Sequence, residues 1–177
     1  RPVPLLRTQI DGDHCGAFFR SLLRQYFRVF ELSAAIASVC ESYTAVAEDS
    51  DKSLTCGIDP EIRVLGDVEL VSQALVNLLE NAIRYTPPRS SIRVRLCLNG
   101  TKAVLSVTDD GHGVPEDRQE LLKQRFTRGD RSRGSQGYGL GLNLVEAVAR
   151  VHGGCLRLSD ARPGLRAEIE LPLPASS

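Results

Sequence analysis

The segment from Ser91 to Asp109 constrains the fold most strongly, because apolar and polar residues alternate on both sides of a turn. The apolar positions are Ile92, Val94, Leu96 and Leu98 before the turn and Ala103, Leu105 and Val107 after it. The Asn99-Gly100 dipeptide between them favours a tight hairpin. Since side chains alternate between the two faces of a strand, the pattern predicts a half-buried antiparallel pair and places Asp109 on its apolar side.

Three helices are predicted around this hairpin, over residues 33–48, about 68–85 and 138–152. Asp67 is a good N-cap for the second, and Gly153 and Gly154 end the third. The core face of the second helix is expected to contain Val68, Val71, Leu75, Leu78, Leu79 and Ala82. Short strands are expected over 53–58, 62–66, 155–160 and 165–173, and a short helix over 118–123. The order predicts an α+β fold, a two-layer α/β sandwich with helices on one face of a mixed sheet.

Composition narrows the class of protein. The length of 177 residues and 42% hydrophobic content fit one domain with a substantial core. The 22 basic residues balance the 22 acidic ones, which argues against nucleic acid as a partner. Five cysteines without CxxC spacing do not suggest a disulfide framework and fit a reducing cytosol. No apolar run reaches the roughly 20 residues of a membrane span.

Asp109 is the first candidate for a binding residue. A carboxylate on the apolar side of a strand needs a donor, and the exocyclic amine of a purine would supply one. Gly111 and Gly113 follow it and would let a flat ligand approach closely. The alternative is that Asp109 only ends the strand and bonds its own turn. The residue alone does not distinguish the ligand-binding interpretation from the turn interpretation.

A polar stripe on the second helix is the next candidate. Asn77 and Asn81 lie four residues apart, with Arg84 about one turn further and Tyr85 beside it. Two amide oxygens and a guanidinium directed to one point would suit Mg²⁺ and phosphates, and Tyr85 could stack on a base. A simple solvent-facing stripe is the alternative.

The third candidate is a run of alternate glycines, Gly137, Gly139 and Gly141, at the start of the last helix. Backbone N–H groups at a helix start can bind an anion, although this spacing alone is a weak motif. The preceding stretch is basic, with Lys123, Arg125, Arg128, Arg131 and Arg133 against a single Asp130. Such charge runs are usually solvated, but beside a glycine-rich anion site phosphate contact is favoured.

Together these segments resemble the catalytic and ATP-binding domain of bacterial sensor histidine kinases. "LVNLLENAIRYTP" resembles the N box, "VTDDGHGVP" the first glycine box, "QRFTRGDRSR" the F box and "GYGLGLNLV" the second glycine box. The resemblance covers about residues 29–174 and implies the Bergerat ATP-binding fold with a mobile ATP lid. Residues 1–29 resemble a remnant of the dimerisation hairpin and linker, leaving 30–177 as the catalytic domain.

The resemblance also implies roles for individual residues. Asp109 would bind the adenine amine and Asn81 the Mg²⁺ ion, while Phe126 would be the apolar anchor of the lid. The other residues implied in ATP binding are Asn77, Arg84, Tyr85, Gly111, Gly113, Arg128, Arg133, Gly137, Gly139, Leu140, Gly141 and Leu142. ATP and Mg²⁺ are therefore the expected cofactors.

The N box bears on the reaction that this site would perform. Hydrolysing relatives carry a glutamate at the position of Asn77, and an amide cannot act as that base. A histidine kinase needs only an aligned nucleophile and charge stabilisation. None of the three histidines, His14, His112 and His152, lies in an H box, and a structural role is favoured for each. At a helix end, a protonated His152 would suit the helix dipole. No nucleophile or base is identified in the chain.

The resulting expectation is a domain that presents Mg–ATP to a histidine of the dimerisation domain, for relay to a response regulator receiver domain. The fragment itself is expected to be monomeric or weakly dimeric. It would lie in the cytoplasm, whether the intact kinase is anchored at the inner membrane or not. The alternatives are an ATPase or serine kinase with the same pocket, and a regulatory module of this fold that does not turn over ATP.

Overall fold

The computed structural model describes residues 26–113 and 139–175. Three helices and seven strands are present in these two stretches. The helices are α1 (Leu32–Asp49), α2 (Val68–Tyr85) and α3 (Gly139–Val151). The strands are β1 (Arg28–Glu31), β2 (Ser53–Ile58), β3 (Arg63–Gly66), β4 (Ser91–Asn99), β5 (Lys102–Asp109), β6 (Cys155–Asp160) and β7 (Leu165–Pro172).

Five of the strands form one mixed sheet in the order β2-β4-β5-β7-β6. β2 runs parallel to β4, and the other neighbours are antiparallel. The inner face of this sheet and the apolar faces of the three helices share one buried core. The α+β sandwich expected from the sequence is therefore confirmed. A separate pair, β1 with β3, was not predicted because β1 has only four residues.

The β4–β5 hairpin follows the predicted register. Asn99 pairs with Lys102 around the turn, where Gly100 has a φ of 59° that suits glycine. At the other end of the hairpin, Ile92 lies opposite Asp109. Leu98 was expected inside but is 54% exposed, because it lies next to the hairpin tip, beyond the cover of the helices.

Helix α2 begins as the sequence predicts. The Asp67 carboxylate accepts hydrogen bonds from the backbone N–H groups of Glu69 (2.9 Å) and Leu70 (3.1 Å), which have no partner inside the helix. The buried face contains Val71, Ala74, Leu75, Leu78, Leu79 and Ala82. Val68, expected in the core, is 40% exposed because it lies in the first turn, where the helix extends past the sheet.

His152 connects the end of α3 to the start of α2. Its Nε2 accepts the N–H of Asp67 at 3.0 Å, and its Nδ1 lies 2.8 Å from the carbonyl oxygen of Val148. This pattern requires the neutral ring with the proton on Nδ1, so the protonated form considered from the helix dipole does not fit. The ring also stacks on Phe27 at 4.6 Å. The predicted structural role of His152 is thus confirmed.

In the described stretches, every helix is too short or too polar to cross a bilayer.

Candidate nucleotide site

A cleft opens on the helix side of the sheet, between α2, the start of α3 and the adjoining ends of β5 and β7. It encloses about 460 Å³, counting the part that is open to solvent. The residues that line it are Leu78, Asn81, Ala82, Tyr85, Thr86, Asp109, His112, Gly113, Leu142, Leu165 and Ala167. Most of this wall is apolar, with a few polar groups, as is typical of a small-molecule site.

Asp109 is the carboxylate of this cleft. Its Oδ1 accepts hydrogen bonds from the backbone N–H groups of Gly111 (3.0 Å) and Leu165 (3.3 Å). Burial raises the pKa of Asp109; the two backbone bonds oppose this rise, and the charge of Asp110 adds to it. Among the residues that the structure describes, both bonds go to Oδ1, and Oδ2 is thus open to a donor on a ligand. The turn and the ligand interpretations of Asp109 are therefore compatible.

Asn81 presents an amide to the same cleft. Its Nδ2 is buried and, within the two described stretches, has no hydrogen-bond partner. A buried polar atom without a partner costs about 1–3 kcal/mol, so this is an unusual feature in a folded protein. The amide can rotate to place either its nitrogen or its oxygen at this position. A bound ligand or ion would satisfy it.

Gly141 lies directly over the asparagine pair. A Cβ at this position would be 3.2 Å from Asn81 Nδ2, which is a tight contact, and 3.4 Å from Asn77 Oδ1, at the limit of ordinary packing. Glycine therefore lets the first turn of α3 approach α2, and the glycine run of α3 lies against the asparagine stripe of α2. Leu142 follows, is buried and lines the cleft.

Of the remaining residues of the predicted stripe, Asn77 and Arg84 lie outside the wall of the cleft. The Asn77 amide donates to the carbonyl oxygen of Gln73 at 2.8 Å. Arg84 is exposed, and its guanidinium lies 5.7 Å from the centre of the Tyr85 ring. Of these three residues, only Tyr85 lines the cleft.

The glycines after Asp109 have separate geometric roles. A Cβ on Gly111 would come within 2.8 Å of Thr86 Cγ2, so glycine is required for the turn to pack on the end of α2. Gly113 has a φ of 70° and lies against the backbone of Gly164. Both glycines thus shape the wall beside the carboxylate.

Among the residues of the site that were missed from the sequence, four have contacts that matter here. Thr86 is buried, and its hydroxyl donates to the carbonyl oxygen of Ala82 at 2.7 Å. His112 and Leu165 line the cleft. Gly164 has a φ of 100°, and a Cβ there would collide with the carbonyl oxygen of Asp109. Thr86 was visible as the residue after Tyr85, whereas Gly164 and Leu165 carry no local signal because their contacts are long-range.

Several predicted residues fall outside the described stretches: Phe126, Arg128, Arg133 and Gly137, together with the short helix and the lid. Gly139 and Leu140 form the first turn of α3. In the described stretches, no three histidine, cysteine, aspartate or glutamate side chains lie together as a metal site.

Comparison with known proteins agrees with this geometry. Residues 66–175 match the family of histidine kinase-, DNA gyrase B- and HSP90-like ATPases. The chain belongs to this family. The match contains α2, the β4–β5 hairpin and α3, so the asparagines, Asp109 and the glycines all lie within it. ATP binding is a property of these ATPase domains, and the predicted resemblance is confirmed.

Individual relatives of this ATPase-family domain are named as sensor kinases. The sensor-like histidine kinase SenX3 of Mycobacterium tuberculosis H37Rv is 35% identical over 147 residues, which cover 82% of this chain and 36% of SenX3. The adaptive-response sensory kinase SasA of Synechocystis sp. PCC 6803 is 35% identical over 158 residues, or 86% of this chain and 41% of SasA. The domain thus spans well under half of these curated relatives.

Solved structures give the same picture for this ATPase-family domain. The mycobacterial sensor histidine kinase MprB superposes with a TM-score of 0.63 at 30% identity, covering 82% of this chain and 97% of that one. The catalytic domain of histidine kinase ThkA superposes with a TM-score of 0.71 and covers 82% and 96% of the two chains. At 24% identity, ThkA supports the fold alone.

Proposed function

We propose that this domain binds Mg–ATP and donates the γ-phosphoryl group to a histidine on the dimerisation domain of a two-component sensor kinase. A response regulator receiver domain would then accept the phosphoryl group. The observation that carries the proposal is that one cleft is lined both by the Asp109 carboxylate and by Asn81, whose buried Nδ2 has no hydrogen-bond partner among the described residues.

The cleft suits a purine with an exocyclic amine at one end and phosphates at the other. Asp109 would accept from the amine, while Leu165, Ala167 and Leu142 supply apolar contacts to the ring. The phosphates would lie towards Asn81 and the first turn of α3, where backbone N–H groups at a helix start favour an anion. Gly137, Gly139 and Leu140 are proposed to contribute at that end.

The Asn81 amide also fits a role in holding Mg²⁺. Mg²⁺ prefers oxygen ligands and is usually bound by few protein groups together with phosphates and water, and it neutralises phosphate charge during transfer. Asn81 would contribute its carbonyl oxygen, and Gly141 leaves space beside it. Arg128 and Arg133 are proposed to contact the terminal phosphates, with Phe126 anchoring the lid.

Phosphoryl transfer is favoured over hydrolysis because Asn77 cannot activate water as a general base. Its amide donates to the Gln73 carbonyl along the helix, which fits a positioning role. The acceptor histidine is proposed to belong to the dimerisation domain, with residues 1–29 as the remnant that leads to it and 30–177 as the catalytic unit. The proposed location is the cytoplasm.

Calorimetry with Mg–ATP tests the binding step. Asp109→Asn should weaken ATP binding at least tenfold, because the amide that replaces the carboxylate is a weaker acceptor for the adenine amine. Asp110→Asn is the matched control, since Asp110 is exposed and its carboxylate accepts the Ser91 N–H at 2.8 Å. Equal affinity for the wild type and Asp109→Asn would overturn the proposed pocket.

The transfer step requires a separate measurement. The domain, mixed with a histidine-bearing dimerisation hairpin and γ-labelled ATP, should place the label on histidine, recognisable because the bond is labile in acid and stable in base. ATP binding without label transfer to any cognate hairpin would favour a regulatory module. Steady phosphate release without transfer would favour an ATPase.

A further inference from the structure

The two-stranded ribbon of β1 and β3 carries apolar side chains on the face that points away from the core. Val29 and Leu65 are register partners, so their side chains lie directly opposite each other on this face. They are 56% and 49% exposed, whereas the next pair along the ribbon, Phe30 and Val64, packs into the core. Single exposed apolar residues are common on a protein surface, but adjacent ones mark a contact site.

Further exposed apolar residues lie at one end of this ribbon. Because β1 and β3 are antiparallel, the residues before β1 and after β3 lie at the same end. Tyr26 precedes β1, and Val68 follows β3 in the first turn of α2; both are exposed. We call Tyr26, Val29, Leu65 and Val68 the ribbon patch. It contains four of the seven large hydrophobic residues that are exposed in the two described stretches, so exposed apolar surface is concentrated there.

The charged residues on the outer face of the ribbon balance each other. Glu31 and Arg63 are register partners, and alternation places them on the same face as Val29 and Leu65. This face therefore has no net charge, which suits an apolar occupant better than nucleic acid or an anionic lipid surface.

The chain itself supplies an apolar segment directly before the ribbon. Residues 17–25 read AFFRSLLRQ. At a helical period, the four large apolar residues share one face and the two arginines lie on the other: Phe18, Phe19, Leu22 and Leu23 against Arg20 and Arg24. The pattern predicts a short amphipathic helix, which needs an apolar surface to cover its apolar face.

We propose that residues 17–25 fold as a short helix whose apolar face covers the ribbon patch. Tyr26 lies in a turn, so the chain bends directly before β1. Phe27 is buried and stacks on His152 at 4.6 Å, which fixes the point where the segment meets the domain. A nine-residue helix is about 13 Å long, and so is a four-residue strand, so the two elements match in length. The short connection favours this occupant over a second copy of the chain.

Docking of this helix would fix the direction in which residues 1–16 leave the domain. Under the proposed function, these residues lead to the dimerisation domain, so the docked helix would set the orientation of the two domains. That consequence rests on the proposed function, whereas the docking itself does not.

Amide hydrogen exchange of the full chain, measured by mass spectrometry, tests the contact. We expect residues 17–25 to exchange at least tenfold more slowly than an unstructured peptide of the same sequence. Leu65→Thr should lower this protection at least threefold, because it removes apolar surface and keeps a residue that favours strands. Leu98→Thr is the matched control: Leu98 is similarly exposed in β4 but lies at the hairpin tip, so protection should be unchanged.

Melting temperatures test the same contact from both sides. Leu65→Thr and Leu22→Ser should each lower the melting temperature by on the order of 3 °C. The double variant should lose little more than either single variant, because both substitutions remove one shared contact. Arg24→Gln, on the polar face of the predicted helix, and Leu98→Thr should leave the melting temperature unchanged. Since Leu65 is half exposed, its threonine variant is expected to fold, and circular dichroism checks this.

Three results would overturn the proposal: exchange of residues 17–25 at the unstructured rate in the wild type, equal protection in Leu65→Thr and the wild type, or additive losses in the double variant. Protection that rises with protein concentration, together with a doubled mass in sedimentation, would also overturn it and assign the patch to a second copy. ATP binding is not part of the readout, so failure of this proposal and failure of the proposed function are distinguishable.

Discussion

Asp109 and Glu170 are carboxylates on the neighbouring strands β5 and β7, yet their surroundings are opposite. Asp109 faces the helix side, where burial raises its pKa. Glu170 faces the outer side of the sheet, where Lys102 at 2.6 Å and Arg157 at 2.8 Å lower its pKa. On the outer face, the charge of Glu170 is thus paired with two cations. In the cleft, the Asp109 carboxylate lies near the Asn81 amide, whose Nδ2 has no hydrogen-bond partner among the residues that the structure describes.

The largest change in the free energy of unfolding is expected from a substitution that distorts the cleft and leaves the outer face of the sheet unchanged. Gly164→Ala would place a Cβ against the carbonyl oxygen of Asp109, at a φ of 100° that alanine rarely adopts. We expect the free energy of unfolding to fall by about 3 kcal/mol or more. Urea unfolding followed by circular dichroism measures this.

Gly57→Ala in β2 is the matched control for this substitution. No atom lies within 4 Å of a Cβ at that position, and the strand backbone suits alanine. Its effect should remain within about 0.5 kcal/mol. Equal losses for the two variants would show that the turn at Gly164 does not support the Asp109 carboxylate.

The importance of Gly164 also shows where reasoning from the sequence stops. The β4–β5 hairpin could be predicted because alternation and the Asn99-Gly100 turn are local signals. The asparagine stripe and Asp109 were found for the same reason. Leu165, however, donates to Asp109 from 56 positions away, and only the sheet register brings the two together.

Errors in the predicted core have a related cause. A helical wheel treats every turn of α2 as equally covered, although Val68 in the first turn is 40% exposed and Val71, three residues later, is buried. The strand rule likewise placed Leu98 inside, where no helix covers it. Periodicity identifies the face that is apolar, whereas the length over which that face is buried depends on the neighbouring layer.

Asp109→Asn, measured without nucleotide, is expected to change the free energy of unfolding by less than Gly164→Ala does. The change should be an increase rather than a decrease. A carboxyl whose pKa is raised on folding lowers stability above that pKa, and this cost disappears as the pH falls below the ordinary carboxyl range. The variant should therefore be more stable than the wild type by about 1 kcal/mol at neutral pH, because the amide can still accept both backbone bonds.

Thermal unfolding of the two proteins as a function of pH measures this difference, which should be largest at neutral pH and vanish in acid. Asp110→Asn should gain clearly less, since Asp110 is exposed and its charge is the smallest of the causes that act on the pKa of Asp109. A variant that is less stable than the wild type at neutral pH would contradict the view that Asp109 is kept for a ligand at the expense of stability.

Of these substitutions, Glu170→Gln on the outer face of the sheet is expected to change the free energy of unfolding least. The pKa of Glu170 is lowered on folding, so its ionised carboxylate stabilises the folded state. This stabilisation is present above the ordinary carboxyl pKa and is lost as the pH falls through the lowered value. Lys102 is about half exposed and Arg157 more so, so water and salt screen both pairs. We expect a loss of about 0.5–1 kcal/mol at neutral pH and low salt.

Urea unfolding at low and high salt, at neutral and acidic pH, tests this sign and size. The loss should shrink with added salt and in acid, which is the reverse of the pH dependence expected for the gain in Asp109→Asn. Glu168→Gln, which removes a single pair with Arg166, should cost less than Glu170→Gln, because Glu170 joins two cations. If the two carboxylates gave the same sign of effect at neutral pH, the distinction between a paired outer face and an unpaired cleft would be wrong.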